Sequence, residues 1–394
     1  MSSKPFMNVP IARTSLLESE IESVLEPLRN GWLVQGPKVK EFEDKWSSFT
    51  GAKHSIAVTS CTSGLHLSLA ALGIQPGDEV IVPAFTWIAT ANVVEHLGAK
   101  VVFCDIDLNT FNIDITQLEK KITPKTKAII PVHLFGLSAD MDPILSLAKQ
   151  HHLRIIEDSA CGFGTRYKGS HVGTFGDTGS FSFHPRKAIT TGEGGMITTN
   201  SDEIAKKLRR LRDHGAAISD LQRHLGARPY LLADHLDAGY NQRMTDLQAA
   251  LGSAQMDRAT DIVRERQRLA KIYDDAFESL SWLKTPTKES QYEHGYQSYP
   301  CLFEPEALNL DSNAWVHEQR NQWMDKLQQM GISTRPATHA VHMLSFYREK
   351  YDLQPQDYPN ALIANDCSIS LPLFHGMTEE EQQFVIRQVL ESNN

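Results

Sequence analysis

The sequence predicts an α/β protein, with a large domain on a mainly parallel, mixed sheet followed by a smaller C-terminal α+β domain. Three observations predict it. Between residues 55 and 199 short apolar runs alternate with helical patterns, the signature of βαβ units with right-handed crossovers and a sheet covered on both faces. From 202 to 280 the periodicity is helical, with one polar interruption. A chain of 394 residues is also long for a single core, so a division into residues 1–260 and 261–394 is expected.

Taken in order, helical periodicity around Leu16–Asn30 and Val39–Phe49 marks an N-terminal segment expected to pack across the smaller domain. Apolar runs then predict strands over Ser55–Val58, Glu79–Val82, Lys100–Cys104, Ala128–Val132, Arg154–Glu157, Gly179–Phe183 and Gly195–Thr198. Helices are predicted between them, among them Ser63–Leu72 and Trp87–His96. Further helices follow over Asp202–Asp213, Thr245–Met256 and about Asp257–Leu280. Gly215–Tyr240 is polar and poorly periodic, and reads as a long loop of the kind usually tied to function. A strand near Tyr296–Phe303, a helix over Ala314–Met330 and a last helix over Thr378–Ser392 complete the pattern. Thr378 with Glu381 three residues on forms a capping box at that last start.

Composition narrows the function. A 41% apolar, 22% charged chain is ordinary for a globular protein, and a net charge of −9 argues against nucleic-acid or anionic-membrane partners. The five cysteines form no CxxC pair, so neither a disulfide framework nor a metal site is suggested. The opening residues lack a signal-like apolar stretch, and no run approaches 18 apolar residues. A cytoplasmic protein is expected.

Three segments carry chemistry. Lys187 closes the alternating run Ser180-Phe-Ser-Phe-His-Pro-Arg-Lys187, just before Gly192-Glu-Gly-Gly195. A lysine amine attacks an aldehyde only when neutral, a form that burial or a nearby cation favours; the competing reading is a surface lysine in a glycine-rich loop. Asp158 ends Leu153-Arg-Ile-Ile-Glu-Asp158, where a carboxylate can pair with a protonated ring nitrogen or simply cap a helix. Glu157 alternates to the other side of the strand and is the weaker candidate. Thr59-Ser-Cys-Thr-Ser-Gly64 opens a helix whose free amides and small residues suit a phosphate dianion, or a plain Ser/Thr cap. Ser182 is a further phosphate donor candidate. Together these supply an amine, a ring-nitrogen partner and a phosphate cradle, the set that pyridoxal 5′-phosphate requires.

Two more residues are readable from position. Trp87, after Pro83-Ala-Phe-Thr86, could stack on a cofactor ring or lie in the core. His133, at a strand end in Pro131-Val-His-Leu-Phe-Gly136, could donate to a substrate or be a buried structural histidine.

With these segments the chain resembles the DegT/DnrJ/EryC1/StrS sugar aminotransferases, on the aspartate-aminotransferase type I fold. The resemblance runs from about Gly31 to Leu373. It includes Leu72-Gly-Ile-Gln-Pro-Gly-Asp-Glu-Val80, Ile129–Gly136, Phe181–Lys187, Gly192–Gly195, Gly239-Tyr-Asn-Gln-Arg-Met244 and Gly331-Ile-Ser-Thr-Arg-Pro336. It implies Lys187 as the residue joined to the cofactor aldehyde, Asp158 at the pyridine nitrogen and Trp87 on the ring face. It implies Thr62, Ser63 and Ser182 at the phosphate. Asn241 matches a position reaching the cofactor phosphate of a neighbouring subunit, and Arg243 one near the substrate. Shared sites imply a symmetric homodimer. Two positions depart: Cys161 stands where relatives commonly carry glutamine, and Ala188 where asparagine is frequent. Neither removes a required group, although the glutamine's role near the phenolic oxygen does not carry over.

The reading is a transaminase moving an amino group from L-glutamate, leaving 2-oxoglutarate, to a nucleotide-linked keto-sugar. C4 of a 6-deoxyhexose is the expected position, in bacterial polysaccharide or O-antigen sugar biosynthesis. C3 amination or an aminocyclitol substrate is the alternative. His133, Arg335 and His339 are the substrate-side candidates beside Arg243, with His342 a looser one. Dehydrating relatives lack the lysine, a non-catalytic binder would not need both Asp158 and Arg243, and a Rossmann protein would need a G-x-G-x-x-G that Thr59–Gly64 lacks.

Overall fold

A computed structural model describes residues 7–228 and 230–392. Seven buried runs pair into one sheet: β1 (His54–Val58), β2 (Glu79–Pro83), β3 (Lys100–Cys104), β4 (Thr126–Ile129), β5 (Arg154–Asp158), β6 (Thr178–Ser182) and β7 (Gly195–Thr199). Their order is β1-β7-β6-β5-β4-β2-β3. From β6 across to β3 every pairing is parallel, whereas β7 runs antiparallel to both neighbours. The sheet is therefore mixed and mostly parallel, as the alternation predicts. All five residues of β2 are buried, which is why that strand reads as continuous apolar sequence rather than alternating.

Helices cover both faces: α1 (Pro37–Thr50), α2 (Cys61–Ala71), α3 (Ala89–His96), α4 (Met141–His151), α5 (Asp202–Arg212), α6 (Asp246–Met256) and α7 (Ala259–Phe277). Thr245 and Gln248 close a capping box on α6, and the one expected at Thr378–Glu381 is present. The expectation for the N-terminus needs correction. Phe42 and Trp46 of α1 insert among Phe181, Phe183 and Ala249, and Glu43 accepts the Ala57 amide and pairs with Arg212. This region therefore docks on the large sheet's helical layer, because its two aromatics fit there. Val9, beside Ile332, and Arg13, paired with Glu381, reach the C-terminal part; residues 1–6 lie outside the described set.

Beyond α7, β8 (Tyr299–Phe303) and β9 (Ser368–Leu371) form a three-stranded antiparallel sheet with Leu283–Lys284. A second core of Leu269, Tyr273, Phe277, Trp323 and Val385 lies against it. The strand expected from Tyr296 starts at Tyr299, since Tyr296 has φ 46°, outside strand geometry. Residues 335–367 then return to the first sheet. His339–Ala340 pairs with Phe85–Thr86, and Val341, Tyr347 and Ala361 pack in the core beside β2 and β3. The division expected at 260/261 falls inside α7. The polar stretch 215–240 contains a short helix, Asp220–Leu225, and exposes Leu225, Tyr230 and Leu232. Among the described residues no helix is long and apolar enough to cross a membrane.

Candidate active site

Parallel register gathers the chemistry at one end of the sheet. Asp158, the last residue of β5, lies opposite Ser180 of β6, and the loop beyond β6 carries Lys187 back past the same edge. That loop is held at its base, where Phe183 donates to Gly194 O (2.9 Å) and Thr191 to Phe183 O (3.0 Å). Lys187 donates its amide to His184 O (2.8 Å) and its Nζ to Cys161 Sγ at 3.2 Å. The amine is thus half-buried and faces a thiol, not a carboxylate.

Asp158 is buried. Its Oδ2 accepts from Thr90 Oγ1 (2.7 Å) and its Oδ1 from the Ala160 amide (3.1 Å). Desolvation holds its carboxyl above the usual range, opposed in part by Thr90, Ala160 and the Lys187 charge. Among the described residues no cation pairs with it. A buried carboxylate with two close donors, one distant thiol (Cys61 Sγ, 4.0 Å) and no ion-paired cation is costly, and a protonated heterocycle is the partner that would complete it. Thr90, which fixes that carboxylate, is the candidate site residue that sequence reading missed. The three-residue step from Trp87 to Thr90 at the start of α3 was the available signal.

Glu157 points the other way, as strand alternation requires. It accepts from the Gly173, Phe175 and Gly176 amides (2.7, 2.8 and 2.8 Å) and from His133 Nε2 (2.9 Å). His133 has no solvent exposure, and its Nδ1 accepts the Ala139 amide at 3.1 Å. Both ring nitrogens are committed, so the substrate-side expectation for His133 is corrected to a structural role. His342 is likewise buried, against Tyr358, with its Nε2 3.4 Å from Pro355 O.

The candidate anion cradle is the turn at the start of α2. Ser60, not Ser63, is the cap, accepting the Ser63 amide at 3.0 Å. Thr59 and Ser63 hydroxyls lie 2.8 Å apart. Strand β7 passes so close that a Cβ on Gly195 would stand 2.4 Å from the Ser60 carbonyl carbon, so only glycine fits. Thr62, Ser63 and Ser182 are half-buried around this turn. Cys61, buried between the cradle and Asp158, has its thiol pushed well up by desolvation and by the Asp158 charge.

Trp87 is 61% exposed, which excludes the core reading, and its ring centroid lies 5.8 Å from that of His339. His339 reaches it because it pairs opposite Thr86. Arg243, bridged to Val58, is ion-paired with Asp213, a partner the sequence did not reveal. Asn241 is exposed. Arg335 is half-buried with its Nε sealed and unpartnered.

The arrangement suits pyridoxal phosphate: an amine, a buried carboxylate awaiting a cation, a hydroxyl-lined helix start, and an exposed indole converge. Comparisons with known proteins agree. Residues 14–390 match the DegT/DnrJ/EryC1/StrS aminotransferase family. The GDP-perosamine synthase of Caulobacter vibrioides is 39% identical over 380 residues, 96% of each chain. The UDP-4-amino-4-deoxy-L-arabinose–oxoglutarate aminotransferase of Shewanella sediminis is 35% identical over 387 residues, 97% of each. Spr1654 of Streptococcus pneumoniae in its PLP-form superposes with a TM-score of 0.88 at 30% identity, covering 98% of this chain and 99% of that one.

Proposed function

We propose, on the premise that the chain belongs to the DegT/DnrJ/EryC1/StrS aminotransferase family and is a pyridoxal phosphate-dependent sugar aminotransferase, that it moves the amino group of L-glutamate onto C4 of a nucleotide-linked 4-keto-6-deoxyhexose. The observation that carries the site assignment is the buried Asp158 carboxylate, without a cation, at the same sheet edge as the Lys187 amine. The Shewanella relative supports the donor and the position, being an oxoglutarate aminotransferase of a 4-amino sugar by name.

Bound here, pyridoxal phosphate supplies an aldehyde for the amine and an electron-withdrawing ring that stabilises negative charge at the donor's α-carbon. Lys187 would hold it and, once displaced, take the α-proton on Nζ and return it across the transferred nitrogen. Asp158 would keep the proton on the ring nitrogen, and Thr90 fixes that carboxylate. Thr62, Ser63 and Ser182 would hold the phosphate at the α2 N-terminus, and Trp87 would lie against the ring. Arg243 and His339 line the substrate side. Asn241, exposed, would reach a second subunit's phosphate; the exposed Leu225, Tyr230 and Leu232 nearby in sequence support a homodimer with shared sites.

Mixing the protein with L-glutamate alone should change the cofactor's absorbance, and adding the correct keto-sugar should restore it. A panel of UDP-, GDP- and dTDP-linked keto-sugars identifies the acceptor. Turnover by a Lys187→Ala protein, or borohydride labelling of another side chain, would overturn the assignment.

A further inference from the structure

We propose that Gln297 and Thr14 are positioning residues for the Lys187 amine, gripping the two backbone carbonyls that immediately precede it. Both come from outside the large sheet, so segments remote in sequence aim the lysine. The inference rests on the aminotransfer reading above and adds to it what holds the proton-carrying group in place.

The starting observation is how the Lys187 loop is held. Beyond Phe183 it leaves the sheet, and Pro185 has no amide hydrogen to contribute. Within the turn, Lys187 N donates to His184 O (2.8 Å) and Arg186 N to His184 Nδ1 (3.2 Å). The other two carbonyls are taken from outside: Thr14 Oγ1 donates to Pro185 O at 3.1 Å, and Gln297 Nε2 to Arg186 O at 2.7 Å. Pro185 and Arg186 are both exposed, where water would satisfy a carbonyl equally well. Side chains 171 and 111 residues away are therefore not needed there for satisfaction. What they add is restraint. Lys187 must reach the donor's α-carbon with one atom, Nζ, on a flexible stem. Its aim is set by the backbone it leaves, and the Arg186 carbonyl lies in the same peptide plane as Lys187 N and Cα. A displacement of about 1 Å can cost about 100-fold in rate.

The second observation is the structure that delivers Gln297. Tyr296, just before it, sits at φ 46°, a left-handed conformation that is costly for a bulky residue. The Tyr296 amide donates to His294 Nδ1 (2.9 Å), and the two rings stack with centroids 3.9 Å apart. Arg266 of α7, buried, donates to the Tyr296 and Gln297 carbonyls at 2.8 and 2.6 Å. Among the described residues no carboxylate pairs with Arg266, and desolvation pulls its pKa down to about 10. Gly136 closes the other side, where a Cβ would stand 2.9 Å from the Gln297 nitrogen. A strained residue, a buried cation without a carboxylate and a glycine that admits no side chain thus converge on one glutamine. Strain of this kind persists where the surroundings over-determine it, and it collects at functional sites. Gln297 also shares a small cavity with Lys187, Ser182 and Ala160. Thr14 is fixed on both sides. Arg13 pairs with Glu381 at 2.6 Å and lies over the Phe374 ring, and the Ser15 carbonyl accepts from Arg258 at 2.8 Å.

Two variants test this: Gln297→Met keeps the length and removes the donor, and Thr14→Val keeps the shape and removes the hydroxyl. In the cofactor-free protein, amide hydrogen exchange over residues 184–188 should speed up about 3- to 10-fold in each, with the β5 and β6 amides unchanged. In the loaded protein, the single-turnover rate with L-glutamate should fall about tenfold in Gln297→Met and about threefold in Thr14→Val. The Kd for L-glutamate should stay within about twofold, and the isotope effect with α-deuterated L-glutamate should rise as proton transfer slows. A merely structural contact would lower Tm and leave the single-turnover rate and the isotope effect unchanged, and that outcome refutes the proposal. Unaltered exchange over 184–188 in both variants refutes it as well. Should Gln297→Met fail to fold, Thr14→Val decides, and unchanged exchange there refutes the grip. A wild type whose absorbance responds to no amino acid overturns the aminotransfer reading itself, whereas a responsive wild type with equally fast variants overturns the grip alone.

Discussion

Replacing Asp158 with asparagine separates its two possible roles, ring-nitrogen partner and local cap. The amide keeps the shape: its oxygen still accepts the Ala160 amide. Its NH₂ can donate to Thr90 Oγ1, whose own hydrogen turns to Thr86 Oγ1 at 3.0 Å or Trp87 O at 3.1 Å. What disappears is a buried charge with no cation in ion-pair contact. Removing it should stabilise the cofactor-free protein by about 1–3 kcal/mol. At about 2.1 cal/mol/K per residue, 394 residues have an unfolding entropy of roughly 0.8 kcal/mol/K, so Tm should rise by about 1–4 °C. The pH dependence has a definite sign. A carboxyl held above its usual value takes up its proton more readily in the folded chain. Its favourable contribution is therefore complete at acidic pH and is lost as pH rises through the folded-state value. Wild-type apoprotein should show that loss, and Asp158→Asn should not. With cofactor the order inverts: wild type gains Tm from the ring cation, the variant gains less, and turnover falls by at least 100-fold. Scanning calorimetry of apo and loaded forms between pH 4 and 8 (about that range, set by ordinary carboxyl values) reads all of this. An apo Tm several degrees lower in Asp158→Asn would mean the carboxylate is a structural cap, and the ring-nitrogen assignment would fail.

Thr90→Val deletes the hydroxyl that donates to Asp158 at 2.7 Å; a bond to a charged group is worth about 1.5–3 kcal/mol, so kcat/KM should fall about 10- to 100-fold with the KM for keto-sugar unchanged, measured by steady-state kinetics. His133→Ala removes one of four donors to Glu157 inside a sealed network, and should lower stability by about 2–4 kcal/mol in thermal unfolding while leaving the substrate KM alone; a KM effect without destabilisation would restore His133 to the substrate side. Gly64→Ala places a Cβ 2.2 Å from Ser180 Oγ, beneath the anion cradle. It should weaken cofactor retention in equilibrium dialysis, and unchanged retention would show that the cradle tolerates the shift.

The strands of the large sheet were legible because they are buried on both faces and bounded by turn-forming residues, so that apolar runs such as Glu79–Pro83 stand out without any partner being known. The register that opposes Asp158 to Ser180 then follows almost entirely from parallel neighbours of similar length. Asp158 and the Ser60–Ser63 turn were legible for the same reason, each lying directly at the end or start of such an element, and Lys187 because its loop is bounded by β6 and the glycine-rich run before β7. Docking was not. The helical stripe of α1 announces a buried face but not its destination, and only the fit of Phe42 and Trp46 among Phe181 and Phe183 directs it to the large sheet.

The substrate side was least legible because its geometry depends on an element too short to have a period. A two-residue ladder, His339–Ala340 against Phe85–Thr86, carries the segment 335–367 back across the first sheet and sets His339 beside Trp87. Without that ladder Arg335 would belong to the C-terminal sheet alone, where its bond with Ser370 places its backbone. Two side chains far apart in sequence therefore acquire meaning from four residues of pairing. The same logic decides between Glu157 and Asp158. Neighbours in sequence, they face opposite sides of β5, so one collects three amides and a histidine into a closed structural knot while the other stays short of a counter-charge. Chemistry resides in the unsatisfied member of the pair, and satisfaction is a property of three-dimensional neighbours that residue order does not record.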